Sequence, residues 1–65
     1  MQLSFYQHKR KKGFYAAVKV ENKDDAALVN KDLASKGSPL KAVEGKVVHY
    51  DAANILGLMT PVSVE

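Results

Sequence analysis

The chain has 65 residues, no Cys and no Trp, with 46% hydrophobic and 26% charged residues and a formal net charge of +3. A length of this order predicts one domain, with no disulfide framework and no thiolate zinc site, and no apolar run approaches the ~18 residues of a membrane span. A domain this small buries only about 60% of its unfolded surface, so a single core supplies little stability, roughly 3–5 kcal/mol.

The charge is uneven. Residues 1–20 carry Lys9, Arg10, Lys11, Lys12 and Lys19 and no acid, giving a +5 segment attached to a −2 remainder. Cysteine-free composition and the lack of a signal-peptide layout favour a cytoplasmic location.

Leu3 to His8 alternate, with Leu3 and Phe5 on one side and Ser4, Tyr6 and His8 on the other, the pattern of a half-buried strand. Phe14 to Val20 repeat it, with Phe14, Ala16, Val18 and Val20 on one face and Tyr15, Ala17 and Lys19 on the other. The two runs, joined by Lys9 to Gly13, form an expected antiparallel hairpin whose loop uses Gly13 for a positive φ. Asn22 is an N-cap candidate, Asp24 and Asp25 suit the positive end of a helix dipole, and Gly37 with Ser38-Pro39 is a stop signal. A helix is therefore expected over residues 23–36, with Ala26, Val29 and Leu33 on its buried stripe.

Leu40 to Val43 and Lys46 to Tyr50 read as strand-like, and Glu44-Gly45 between them is compatible with either a tight turn or a bulge. Asp51 followed by Ala52 to Gly57 has a cap, helix formers and a terminating glycine, sufficient for one or two helical turns. Thr60 to Val64 alternate again, but Pro61 restricts that segment to a short edge strand. The expected class is α+β: order ββαβ, then a short helix and an edge strand, with one helix on one face of a small antiparallel sheet. The opposite face, with Tyr6, Tyr15 and Ala17, is apolar enough to favour a homodimer that pairs sheets or edges.

The sharpest functional signal is His8-Lys9-Arg10-Lys11-Lys12-Gly13 between Tyr6 and Tyr15. A basic hairpin tip can track phosphates, a two-stranded ribbon fits the major groove, and paired tyrosines can stack on bases. The site expected for nucleic acid is Lys9, Arg10, Lys11, Lys12, Tyr6, Tyr15 and Lys19. A stripe joining the tip to Lys19 and Lys46 would favour it, because spaced phosphates need spaced cations. The same four cations also suit an acidic protein surface, or simply keep an exposed edge soluble.

Residues 52–62 resemble the first helix and turn of a helix-turn-helix, with Thr60 as N-cap and Pro61 at N1 of a second helix. Only Val62 to Glu65 would remain for the recognition helix, and a short helix capping the sheet with Ile55 and Leu58 in the core is the simpler reading. His8, His49 and Asp51 come from separate elements without metal-ligand spacing, so no metal is expected. No serine lies in a nucleophile elbow and no glycine run cradles phosphate, so neither an enzyme nor a cofactor is expected. Two functions are left: a non-enzymatic nucleic-acid-binding module, or a protein-interaction module of the inhibitor, antitoxin-like or adaptor kind that uses a sheet face or edge.

Overall fold

The computed structural model describes residues 1–7, 9–10, 13–52 and 59–65. Its elements are β1 (Gln2–Gln7), β2 (Phe14–Lys19), α1 (Lys23–Ser35), β3 (Val47–Asp51) and β4 (Thr60–Val64). The four strands form one antiparallel sheet in the order β1-β2-β3-β4, an α+β fold with the expected succession of elements. Among the described residues no helix is long and apolar enough to cross a membrane.

The termini of α1 follow the local sequence. Asn22 is extended at φ −150° and its Oδ1 accepts from the Asp25 amide at 2.9 Å, while Asp25 Oδ2 accepts from the Glu21 amide at 3.2 Å, a variant of the reciprocal capping box. The Met1 ammonium lies 3.0 Å from both Glu21 and Asp25 and ties the start of β1 to the start of α1. That ammonium, helped by the Glu21 N–H, holds the Asp25 carboxyl below its ordinary range against the opposing effect of desolvation. At the other end Ser38 donates to the Leu33 carbonyl at 3.0 Å and Gly37 to the Ala34 carbonyl at 3.1 Å, the two bonds of a Schellman motif, with Gly37 at φ +67°.

Val29 and Leu33 of α1 are buried against Ala16, Val18 and Val20 of the β2 segment and Val48 and Tyr50 of β3, with Ala26 and Met59 packed at the margin. The expected stripe is therefore the one used, but its reach is short. All six residues of β1 are exposed, including Leu3 at 51% and Phe5 at 64%. This corrects the expectation of a half-buried first strand: the helix lies over β2 and β3, and the outer strand extends past the cover. Phe14, also assigned to the buried face, is 55% exposed for its place at the tip end of that hairpin.

The segment between α1 and β3 is neither a hairpin nor one bulged strand. Leu40 to Val43 belong to no strand, and Glu44-Gly45 make a turn with Lys46 N–H donating to the Val43 carbonyl at 3.0 Å and Gly45 at φ +88°. Gly45 N–H donates to the Val20 carbonyl at 2.8 Å and Val20 N–H to the Lys46 carbonyl at 2.9 Å, which delivers the chain into β3 beside β2. Asn30 of α1 holds this segment down: its Oδ1 accepts from the Ala42 amide at 2.7 Å and its Nδ2 donates to the Ala42 carbonyl at 3.1 Å.

Asp51 is the last residue of β3, and Ala52 N–H donates to the Phe14 carbonyl at 2.8 Å. The expected short helix, with Ile55 and Leu58, falls on residues 53–58, outside the described residues. Thr60 to Val64 form the edge strand and not a second helix, so the helix-turn-helix resemblance ends there. His49 faces Ser63 and Tyr50 faces Pro61, leaving Val62 as the extra residue of a bulge, where a missing proline N–H costs no ladder bond.

Candidate nucleic-acid interface

Strand register determines which side chains meet on the face away from α1. Tyr6 pairs with Tyr15, Ser4 with Ala17, and Gln2 with Lys19, while Ala17 faces His49 and Tyr15 faces Asp51 across β3. The hairpin thus joins the two tyrosines expected to be partners, with ring centroids 5.6 Å apart and planes at 22°.

Tyr15 is only 9% exposed, whereas Tyr6 is 37% exposed. Of the two rings proposed from sequence to stack on bases, Tyr6 is the accessible one and Tyr15 is its support. Tyr6 is fixed from another side as well. Its hydroxyl lies 3.1 Å from His49 Nδ1, and the His49 ring stands edge-on at 86° and 5.9 Å. His49 Nε2 is 3.7 Å from the Glu65 carboxylate. His49 therefore bridges the Tyr6 hydroxyl on one ring nitrogen and the Glu65 carboxylate on the other. Glu65 is held opposite Val47 by paired backbone bonds of 2.7 and 2.8 Å.

The result is a pre-oriented aromatic surface: one side of Tyr6 rests on Tyr15 and its hydroxyl is bonded, so stacking a base on it immobilises little further. Alternation in the sequence was enough to place Tyr6 and Tyr15 on one face, and the hairpin register makes them neighbours. It gave no sign of His49 or Glu65, because their approach depends on the β2-to-β3 and β3-to-β4 registers.

Lys9 and Arg10 are exposed in the turn that follows β1, and Gly13 re-enters β2 at φ +104°. Lys11, Lys12 and His8 lie outside the described residues. Lys19 is exposed at the far end of β2, opposite Val47, with exposed Lys46 next along the chain. Phe14 to Lys19 spans about 17 Å at strand rise, so Lys19 and Lys46 form a second basic end and do not continue the tip. Between the two ends lie Tyr6, Ser4, Ala17 and His49, with Asp51 as the acid next to Tyr15.

Among the described residues no group of three or more His, Cys, Asp or Glu is placed to hold a metal ion; His49 is committed to Tyr6 and Glu65. The arrangement offers cations for phosphates at the hairpin tip and a braced ring for a base beside it. Comparison with protein-family models, curated proteins and solved structures finds no match.

Proposed function

We propose that this chain is a small non-enzymatic binding module of the cytoplasm that contacts nucleic acid through the basic tip of its β1–β2 hairpin. The observation that carries the reading is the junction of an exposed Lys9-Arg10 turn, inside a run of four consecutive cations, with the braced Tyr6 ring on the sheet face away from α1. Phosphate contacts supply affinity without sequence preference, and Tyr6 adds stacking worth about 1–3 kcal/mol where a base is unpaired. Lys19 and Lys46, at the far end of β2, do not extend the tip into the stripe that would favour this reading, so the phosphate contacts rest on the tip.

Four phosphate contacts imply a slope of log K on log salt near −3.6 for duplex DNA, about a hundredfold loss between 50 and 200 mM salt. Fluorescence anisotropy with labelled single-stranded and duplex oligonucleotides measures it. Replacing Lys9, Arg10, Lys11 and Lys12 by Ala is expected to flatten the salt dependence and abolish binding to all sequences together. Absence of binding at 50 mM salt, or a slope unchanged in the quadruple variant, refutes the reading.

One observation favours a second reading, a protein-interaction module. Leu3 and Phe5 are more than half exposed on an uncharged edge strand, a surface suited to strand addition by another polypeptide. Recovery of a stoichiometric, nuclease-insensitive protein partner that Phe5→Lys releases would support it over the first.

A further inference from the structure

The two edges of the sheet are built differently. β4 carries Pro61 and a bulge at Val62, two devices that discourage strand addition. β1, with the sequence Gln-Leu-Ser-Phe-Tyr-Gln, has no charge and no proline, and pairs residue for residue with β2 without a bulge. Its outer backbone groups have no strand beside them in a sheet where β1 is terminal.

An apolar surface accompanies this edge. On the helix side, the margin between β1 and α1 is a groove of about 330 Å³ lined by Met1, Leu3, Val18, Leu28, Val29 and Tyr50 among others. Met1 is 53% exposed, Leu3 51%, Phe5 64%, Phe14 55% and Leu28 60%. At about 200 Å² for each large apolar residue, these five expose roughly 570 Å², at the upper end of the ~300–600 Å² of a typical monomer's largest patch. The backbone edge of β1 brings the surface towards the ~800 Å² per partner of a stable interface.

We infer that this edge and groove are covered by a second copy of the chain, β1 pairing antiparallel with β1 about a twofold axis through Ser4. Opposed residues of an antiparallel pair lie on one face, so a twofold must pass through a residue facing itself. With Ser4 on the axis, Leu3 of each copy faces Phe5 of the other, twice over. Both aromatic-aliphatic pairs then lie on the helix side, where they close the two grooves. On the other side Gln2 of each copy faces Tyr6 of the other and flanks the ring on the side away from Tyr15, so phosphate contacts at the hairpin tips, and not stacking on Tyr6, are what the dimer offers nucleic acid. The pairing makes one eight-stranded sheet with both helices on the same face.

Electrostatics selects this orientation. Antiparallel pairing puts the two basic tips at opposite ends, roughly 35–40 Å apart at strand rise, well beyond a Debye length of about 8 Å. Parallel pairing would set them about 5 Å apart, the spacing of neighbouring strands.

Sedimentation equilibrium of the full chain should give a concentration-dependent rise to twice the 7.1 kDa chain mass. Phe5→Lys, at a residue exposed in the single copy, should return it to one chain mass with an unchanged circular dichroism spectrum. Because the chain has no cysteine, Ser4→Cys introduces a thiol whose only disulfide partner is its symmetry mate. Opposed strand residues have Cα atoms about 4.5–5.5 Å apart, within disulfide range. Ser4→Cys should oxidise to a covalent dimer much faster than Ser63→Cys on β4. A single chain mass up to millimolar concentration, a dimer indifferent to Phe5→Lys, or equal cross-linking of the two cysteine variants overturns the proposal. So does a monomer whose β1 amides gain protection only with a foreign protein.

Discussion

The bond pair between Asn30 and Ala42 offers a severe test of how the fold is closed. Asn30→Ala removes an acceptor 2.7 Å from the Ala42 N–H and a donor 3.1 Å from its carbonyl, at a residue only 6% exposed. Each backbone group left unsatisfied costs about 1–3 kcal/mol, and the lower half of that range applies because Asn30, unlike Ala42, is only half-buried and its removal lets water approach. Two groups therefore cost roughly 2–4 kcal/mol, against a gain of up to about 0.7 kcal/mol from placing Ala in the helix. The net loss, about 1.5–3 kcal/mol, is roughly a third or more of the ~3–5 kcal/mol available to a domain of this length. Since 1 kcal/mol moves the midpoint by about 4–8 °C in a domain this small, thermal unfolding followed by circular dichroism should shift down by roughly 10–20 °C. Lys31→Ala, the exposed neighbour, should change little. Stability of Asn30→Ala within about 0.5 kcal/mol of the parent would refute the argument, since it would mean that solvent satisfies Ala42 equally well.

Gly37→Ala should destabilise by about 1–2 kcal/mol in urea titration through backbone strain alone, because φ is +67° while no atom lies within 4 Å of the added methyl. Tyr50 is 2% exposed, and burial first, then the Asp32 carboxylate, pushes its phenol above the ordinary value of 10.0. The folded state then retains a proton that the unfolded chain releases, so stability should fall as pH rises past 10.0. Ultraviolet titration should show a late tyrosinate component that Tyr50→Phe removes; curves differing only in amplitude would count against this.

The parts of the fold legible in the sequence are those set by neighbouring residues. Asn22, the alternation of Phe14 to Val20 and the Gly37-Ser38-Pro39 stop act within a few positions, and the structure uses each of them. The exposure of Leu3 and Phe5 was not legible, because alternation says that a strand has two faces and not whether the helix is wide enough to cover one of them. Residues 40–46 were ambiguous for a related reason: their path is held by Asn30, twelve residues away from Ala42, and by Val20. At the candidate site, Tyr6 and Tyr15 were found through one hairpin, whereas His49 and Glu65 needed two further strand registers.

The two proposals can be joined in one measurement. A single hairpin tip with four cations holds a polyanion weakly, and most of that hold disappears as salt approaches physiological levels. Pairing through β1 would carry two such tips on one rigid sheet, roughly 35–40 Å apart, close to the 34–36 Å of one turn of duplex DNA. The second tip then binds at high effective concentration, and the combined affinity exceeds that of either tip by tens- to hundreds-fold without any new contact. Phe5→Lys adds a positive charge, so on electrostatic grounds alone it should strengthen binding to nucleic acid. If the dimer supplies the affinity, the same variant should instead weaken binding to a duplex longer than one turn while leaving binding to a half-turn duplex unchanged or slightly stronger. Anisotropy titrations with the two lengths separate these outcomes: equal strengthening at both lengths would leave the tip as an independent site, with dimerisation playing no part in its affinity.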